Sequence, residues 1–158
     1  MSGVLLRHMD MIDEVAFVHP KDMQDGKIPV SSRDITTNLP YVKGVHLVID
    51  HHASEAVRIG ERSDYINAPD AASASGVVYE FFGGEDNFPP KFGRLLDVAD
   101  KVDTGNFSWN EVLYPDGWVL LSFLLDPRTG LDQYKDFSVS AEELMRQLID
   151  HCLDMTAD

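Results

Sequence analysis

Apolar residues in this chain fall into two patterns: short unbroken runs, and longer stretches spaced three and four apart. Val45 to Ile49 is apolar except for His46, and such a run suits a parallel strand covered on both faces. Glu14 to Val18 reads as a strand stopped by His19-Pro20, and residues 59–67 leave room for another short one. A strand over 27–34 is weakened by Pro29. Residues 36–44 read as a loop or short helix, and residues 21–26 as a turn.

Helical spacing begins with Val4 to Met11. A second helix opens at Asp70 and runs through Phe82 to the Gly83-Gly84 stop. A third starts at Pro89-Pro90, with Phe92, Leu95, Leu96, Ala99 and Val102 on one stripe that Asp100 and Asp103 extend. Pro115 to Leu125 is a strongly apolar helix. Ser140 to Leu153 is a capped one, with Glu143 three residues after Ser140. Strands alternating with helices predict an α/β fold, a mostly parallel sheet with helices on both faces. No internal repeat or low-complexity segment interrupts it.

The length of 158 residues fits one lobe spanning 1–158. Cys152 is the single cysteine, which rules out an intrachain disulfide and fits a reducing compartment. No apolar run reaches the roughly 20 residues of a membrane span, and the start does not read as a signal peptide. A cytoplasmic protein is expected. Thirteen basic against 27 acidic residues give a net charge of −14. That balance opposes any electrostatic grip on long duplex nucleic acid and leaves a small anionic substrate held at one end.

Chemistry concentrates where Leu47-Val48-Ile49 runs into Asp50-His51-His52. Open α/β sheets bind ligands at the carboxyl ends of their strands. One imidazole there can ligate a metal. The other can serve as a general acid or hold a phosphoryl oxygen, and Asp50 can orient a ring. A strand end capped by polar residues is the plainer alternative. Asp100 and Asp103 close an apolar-striped helix at its negative end and call for a compensating cation. Oxygen and imidazole donors without cysteine favour Mn²⁺ or Mg²⁺ over structural Zn²⁺. His8 and His19 are weaker ligand candidates. Arg128 either touches a phosphate or stabilises its turn, and Trp109, Trp118 and Phe123 read as packing residues.

Val48-Ile49-Asp50-His51-His52-Ala53-Ser54 resembles the signature of the DHH phosphoesterase superfamily. Asp103-Thr104-Gly105-Asn106-Phe107 is similar to that superfamily's fourth motif, and Ala71-Ala72-Ser73-Ala74-Ser75 to the small-residue helix between the two. The segments 17–26 and 34–41 resemble the exopolyphosphatase-related branch. The resemblance implies two Mn²⁺ ions sharing a water and hydrolysing a phosphoanhydride or phosphodiester. Asp34 would bridge the metals, with Asp25 or Asp22 as fallbacks. His51 would ligate one ion and Asp103 would complete the second. His52 would face the substrate phosphate, with Asp50 in support. Polyphosphate, a short oligonucleotide or a nucleotide is the implied substrate, and homodimerisation is left open.

The superfamily's first Asp-x-Asp motif would precede Val4-Leu5-Leu6, where Met1-Ser2-Gly3 stands, and its usual C-terminal associated lobe has no counterpart. The expectation is therefore an N-terminally truncated lobe lacking its first strand, with weak Mn²⁺ binding and impaired hydrolysis. The competing expectation is a non-catalytic metal- or nucleotide-binding lobe acting through a partner. A weaker one is an unrelated acidic α/β domain with a chance Asp-His-His.

Overall fold

The computed structural model describes residues 1–128, 130–133 and 137–156. The chain divides into two compact units. One comprises Gly3–Val15 and Pro89–Asp158 with Met1; the other comprises Ala16–Phe88 with Ser2.

The second unit is built on a three-stranded parallel sheet in the order β1-β2-β3: β1 (Ile35–Thr37), β2 (Leu47–Asp50) and β3 (Tyr65–Asn67). The register pairs Thr36 with Val48 and Val48 with Tyr65, while Asp50 pairs with Asn67. Side chains alternate along a strand, so Thr36, Val48, Tyr65, Asp50 and Asn67 share one face. Val45, Val48 and Tyr65 form a buried cluster on which Val30, Tyr41, Val42 and Ile59 pack. α2 (Pro20–Gln24) precedes β1, α3 (Ala53–Ile59) connects β2 to β3, and after β3 comes α4 (Ala74–Phe81), which lies against β2. Ser73 caps α4 by accepting the Gly76 N–H at 3.0 Å. Val77 and Val78 point into the interior.

Two strand expectations fail here. Residues 14–18 form no strand despite their β-prone composition; among the described residues no neighbouring strand pairs with them. The strand expected within 27–34 lies instead at Ile35–Thr37, in a segment that reads as loop because it carries one aliphatic residue and two threonines. Residues 21–24 belong to α2, whose N-cap is His19: its Nδ1 accepts the Lys21 N–H at 3.2 Å. His19, a weaker ligand candidate from sequence, is thus a capping residue.

The loop after β1 is clamped onto α3. Buried Glu55 accepts the Tyr41 N–H at 3.0 Å and the Arg58 Nε–H at 2.8 Å. Arg58 first, against the opposing effect of burial, holds the Glu55 carboxyl below its ordinary range. The Tyr41 hydroxyl donates to Asp64 at 2.8 Å, and Arg62 pairs with the same carboxylate while lying 4.8 Å over the Tyr41 ring.

The Arg62 hydrogen bond, then that of Tyr41, lowers the Asp64 carboxyl from 3.8 to about 2. A carboxylate whose folded value is depressed stabilises the fold above its unfolded value. That contribution is lost as pH falls through the folded one. The stability difference between the wild type and Asp64→Asn is therefore expected to be full near neutrality. It should shrink between pH 4 and about 2 as read by denaturant titration at each pH. Solvent screening keeps the effect modest, since the side chain is 27% exposed. A difference that stays constant across that interval would remove the pair from the account.

The first unit is helical: α1 (Ser2–His8), α5 (Pro90–Thr104), α6 (Trp109–Leu113), α7 (Gly117–Leu125) and α8 (Ala141–Thr156). Val4, Leu5, Leu6 and Phe92 are its buried anchors, and the His8 ring packs on Phe92 at 4.7 Å. α5 ends at Gly105, whose φ of 65° supplies the left-handed turn, with the Asn106 N–H reaching back to the Lys101 carbonyl. α6 carries a capping box between Ser108 and Glu111. Ser140 caps α8 as expected, and Cys152 is buried in that helix. Arg128 stabilises its turn, accepted by both oxygens of Asp126. Trp109 departs from its packing role and is 83% exposed. Among the described residues no helix is long and apolar enough to cross a membrane.

Candidate active site

β2 ends in Asp50, the most deeply buried ionisable side chain of the second unit at 0% residue exposure. A carboxylate is carried there because the strand's apolar run places the next inward position at its carboxyl end. Its Oδ1 accepts from His52 Nδ1 at 2.8 Å; the acid's side chain is 1% exposed and the imidazole's 54%. The pair therefore has one end fixed in the interior and the other open to solvent. His51 turns the other way, its Nδ1 bonding to the Ala71 carbonyl at 3.2 Å. A neutral ring that donates from Nδ1 carries its lone pair on Nε2, the arrangement of a metal-ligating imidazole. The two rings meet edge to face with centroids 4.7 Å apart.

Three oxygens on the same sheet face are buried with no hydrogen-bond partner among the described residues: Asp50 Oδ2, Asn67 Oδ1 and Thr36 Oγ1. A buried carboxylate oxygen that meets no donor is costly, and a cation or a bridging water satisfies it. Oxygen and imidazole donors match Mn²⁺ or Mg²⁺ in type. They do not match in number: among the described residues no three His, Cys, Asp or Glu side chains gather into a group able to hold a metal ion. Burial, first, and the Asp50 charge keep the nearby Tyr65 phenol above its ordinary range, so it stays a neutral hydroxyl.

Asp34 does not stand at this rim. It precedes β1, its carbonyl accepts the His46 N–H at 2.9 Å, and β1 runs parallel to β2. It is thus level with the start of β2, four residues or roughly 13 Å before Asp50 at about 3.3 Å per residue. Its carboxylate closes its own turn, accepting from the Ser31 N–H at 2.6 Å and the Ser31 hydroxyl at 3.0 Å. Those bonds place Asp34, expected from the resemblance to bridge two metals, in a turn before β1. The fallbacks are engaged as well: Asp22 pairs with Lys27, and Asp25 with Lys21 and Lys27. At the carboxyl end of β1 stands Asn38, in the left-handed region at φ 58°, with its N–H on the Ile49 carbonyl.

Asp103 belongs to the other unit, as the penultimate residue of α5. It is exposed, as is Val102 beside it, so the inward stripe of α5 does not extend to its last turn. The desolvation argument for a compensating cation therefore lapses. Lys101 pairs with Glu111 instead and, ahead of Ser108, holds that carboxyl at about 2.

No family model matches the sequence, and no curated protein matches it. A solved structure does, that of the pGpG-specific phosphodiesterase PggH from Vibrio cholerae. It is 47% identical, covers 96% of this chain and 48% of its own, and superposes with a TM-score of 0.84. The fold is that of a phosphoesterase lobe. The chain spans about half the length of that protein.

Sequence reasoning missed Asn67. Its Nδ2 donates to the His52 carbonyl at 3.1 Å and to the Tyr65 hydroxyl. The one available signal was an asparagine closing a short β-prone run, a residue type that strands disfavour.

Proposed function

We propose that this lobe hydrolyses the phosphodiester of a short linear dinucleotide, with a divalent metal bound at the carboxyl end of β2. The observation that carries the reading is the buried Asp50–His52 pair with its unpartnered Oδ2, at the strand end of a lobe similar over nearly its whole length to a pGpG phosphodiesterase. That similarity favours a dinucleotide over polyphosphate, and the net charge of −14 favours a short substrate over a long one.

In this reading His51 and the unpartnered oxygen of Asp50 would contribute to holding Mn²⁺ or Mg²⁺. A bound divalent cation supplies Lewis-acid polarisation of a phosphoryl oxygen and a water that ionises near neutrality. His52, anchored through Nδ1, presents Nε2 to the substrate as acid or hydrogen-bond donor. Asp103 enters from its sequence motif alone.

Incubation with pGpG and Mn²⁺ should release two GMP per dinucleotide, with release abolished by EDTA and restored by excess metal. Absence of GMP at micromolar enzyme would end the reading. Too few clustered acids and imidazoles among the described residues favours one alternative, a lobe that binds metal or nucleotide through a partner. That alternative predicts calorimetric binding of pGpG without GMP.

A further inference from the structure

From the hydrogen bonds around β3 we infer that Asn67 is a positioning residue for the histidine pair. The inference deepens the proposed function and rests on it only for what the histidines do. His52 is the N-cap of α3, yet its side chain makes no capping bond, because its ring is turned inward to Asp50. Its carbonyl accepts the Glu55 and Ala56 N–H groups at 3.1 and 3.2 Å. Those two bonds fix the carbonyl to the helix. The third, from Asn67 Nδ2 at 3.1 Å, fixes it to the sheet. The amide comes from the residue that is the register partner of Asp50, on the adjacent strand and the same face.

Asp50 and Asn67 thus hold His52 from two sides, the acid by its ring and the amide by its main chain. The chain that follows makes two more ties: the Ala68 N–H donates to the Asp50 carbonyl at 3.2 Å, and the Ala71 carbonyl bonds to the His51 ring. The turn from β2 into α3 is where both imidazoles are aimed. A freed carbonyl lets His52 rotate and move its ring relative to Asp50, and displacements near 1 Å at a reacting group are costly. Asn67 touches neither substrate nor metal through this bond. Its loss should therefore act on the chemical step more than on binding.

The test compares Asn67→Ala and the near-isosteric Asn67→Leu with Tyr65→Phe, which removes only the amide's second partner. With pGpG and Mn²⁺, both Asn67 variants should lose about 10- to 100-fold in kcat with KM within about 3-fold, while Tyr65→Phe stays within about 3-fold of wild type. A readout independent of turnover is the downfield imidazole N–H resonance of the His52–Asp50 bond at fixed pH. It should be present in the wild type and Tyr65→Phe and lost in both Asn67 variants. Persistence of that resonance in the Asn67 variants overturns the inference. So does its loss in Tyr65→Phe, or the loss of folded far-ultraviolet signal in both Asn67 variants, which would make the residue structural. If the wild type releases no GMP, the functional reading fails while the resonance still decides the role of Asn67.

Discussion

Replacing His52 with alanine is expected to lower the turnover of pGpG by about 10²- to 10⁴-fold, the range a positioned acid–base group supplies. The geometry says why the effect should be large. The Nδ1 side of the ring is committed to Asp50 at 2.8 Å while more than half the side chain faces solvent. A ring held this way has one tautomer and one direction. Its outer nitrogen can give or take a proton without first being reorganised, a preorganisation water does not provide. Binding of pGpG, followed by calorimetry, should weaken far less than turnover, because the proton or hydrogen bond is needed most as charge develops. His46→Ala is the control: exposed at the opposite end of β2, it should leave turnover unchanged. Retention of turnover within tenfold in the His52 variant would take the ring out of the chemistry.

The parts of the fold that could be read from the sequence are those where local signals and burial agree. β2 follows from an apolar run and α5 from a proline start, while α4 follows from its double-glycine stop but begins at Ala74 rather than at Asp70. β1 was not legible, because Ile35-Thr36-Thr37 is a strand by its partner rather than by its own pattern, and β propensity depends heavily on such context. Residues 14–18 show the converse, a strand-like composition with no ladder among the described residues. In the site, Asp50, His51 and His52 could be located because the strand end is written in adjacent residues. The position of Asp34 was not legible, because an acid near a strand carries no mark of which end of the sheet it occupies; only the parallel register shows that. Asn67 was invisible for a related reason: it acts on a main-chain carbonyl 15 residues away in sequence, and no pattern of residue types encodes that bond.

Asp50→Asn should separate stability from activity, and in opposite directions. In the wild type a fully buried carboxylate makes one side-chain hydrogen bond and leaves Oδ2 without a donor, while on the neighbouring strand Asn67 Oδ1 is also unpartnered. Each such group carries a desolvation cost of about 1–3 kcal/mol, more when charged. An amide of the same shape keeps an acceptor for His52 Nδ1. It also places an N–H₂ donor where Oδ2 stood, on the same face as the Asn67 oxygen. One unmet acceptor is thereby removed by one isosteric change, and the new donor stands on the register partner of Asn67. The variant is expected to be more stable by about 1–3 kcal/mol, seen as a raised denaturant midpoint with an unchanged slope. Hydrolysis of pGpG should fall by at least about 10-fold, since the ring loses its anionic partner. Added Mn²⁺ should raise the wild-type midpoint more than that of the variant, because a ligand stabilises only the state that binds it. Stability surrendered at a buried site and recovered when the site is disarmed is the signature of a residue kept for chemistry rather than packing. A midpoint that falls in Asp50→Asn would mean that the carboxylate's surroundings already satisfy it, and that its burial needs no cation at all.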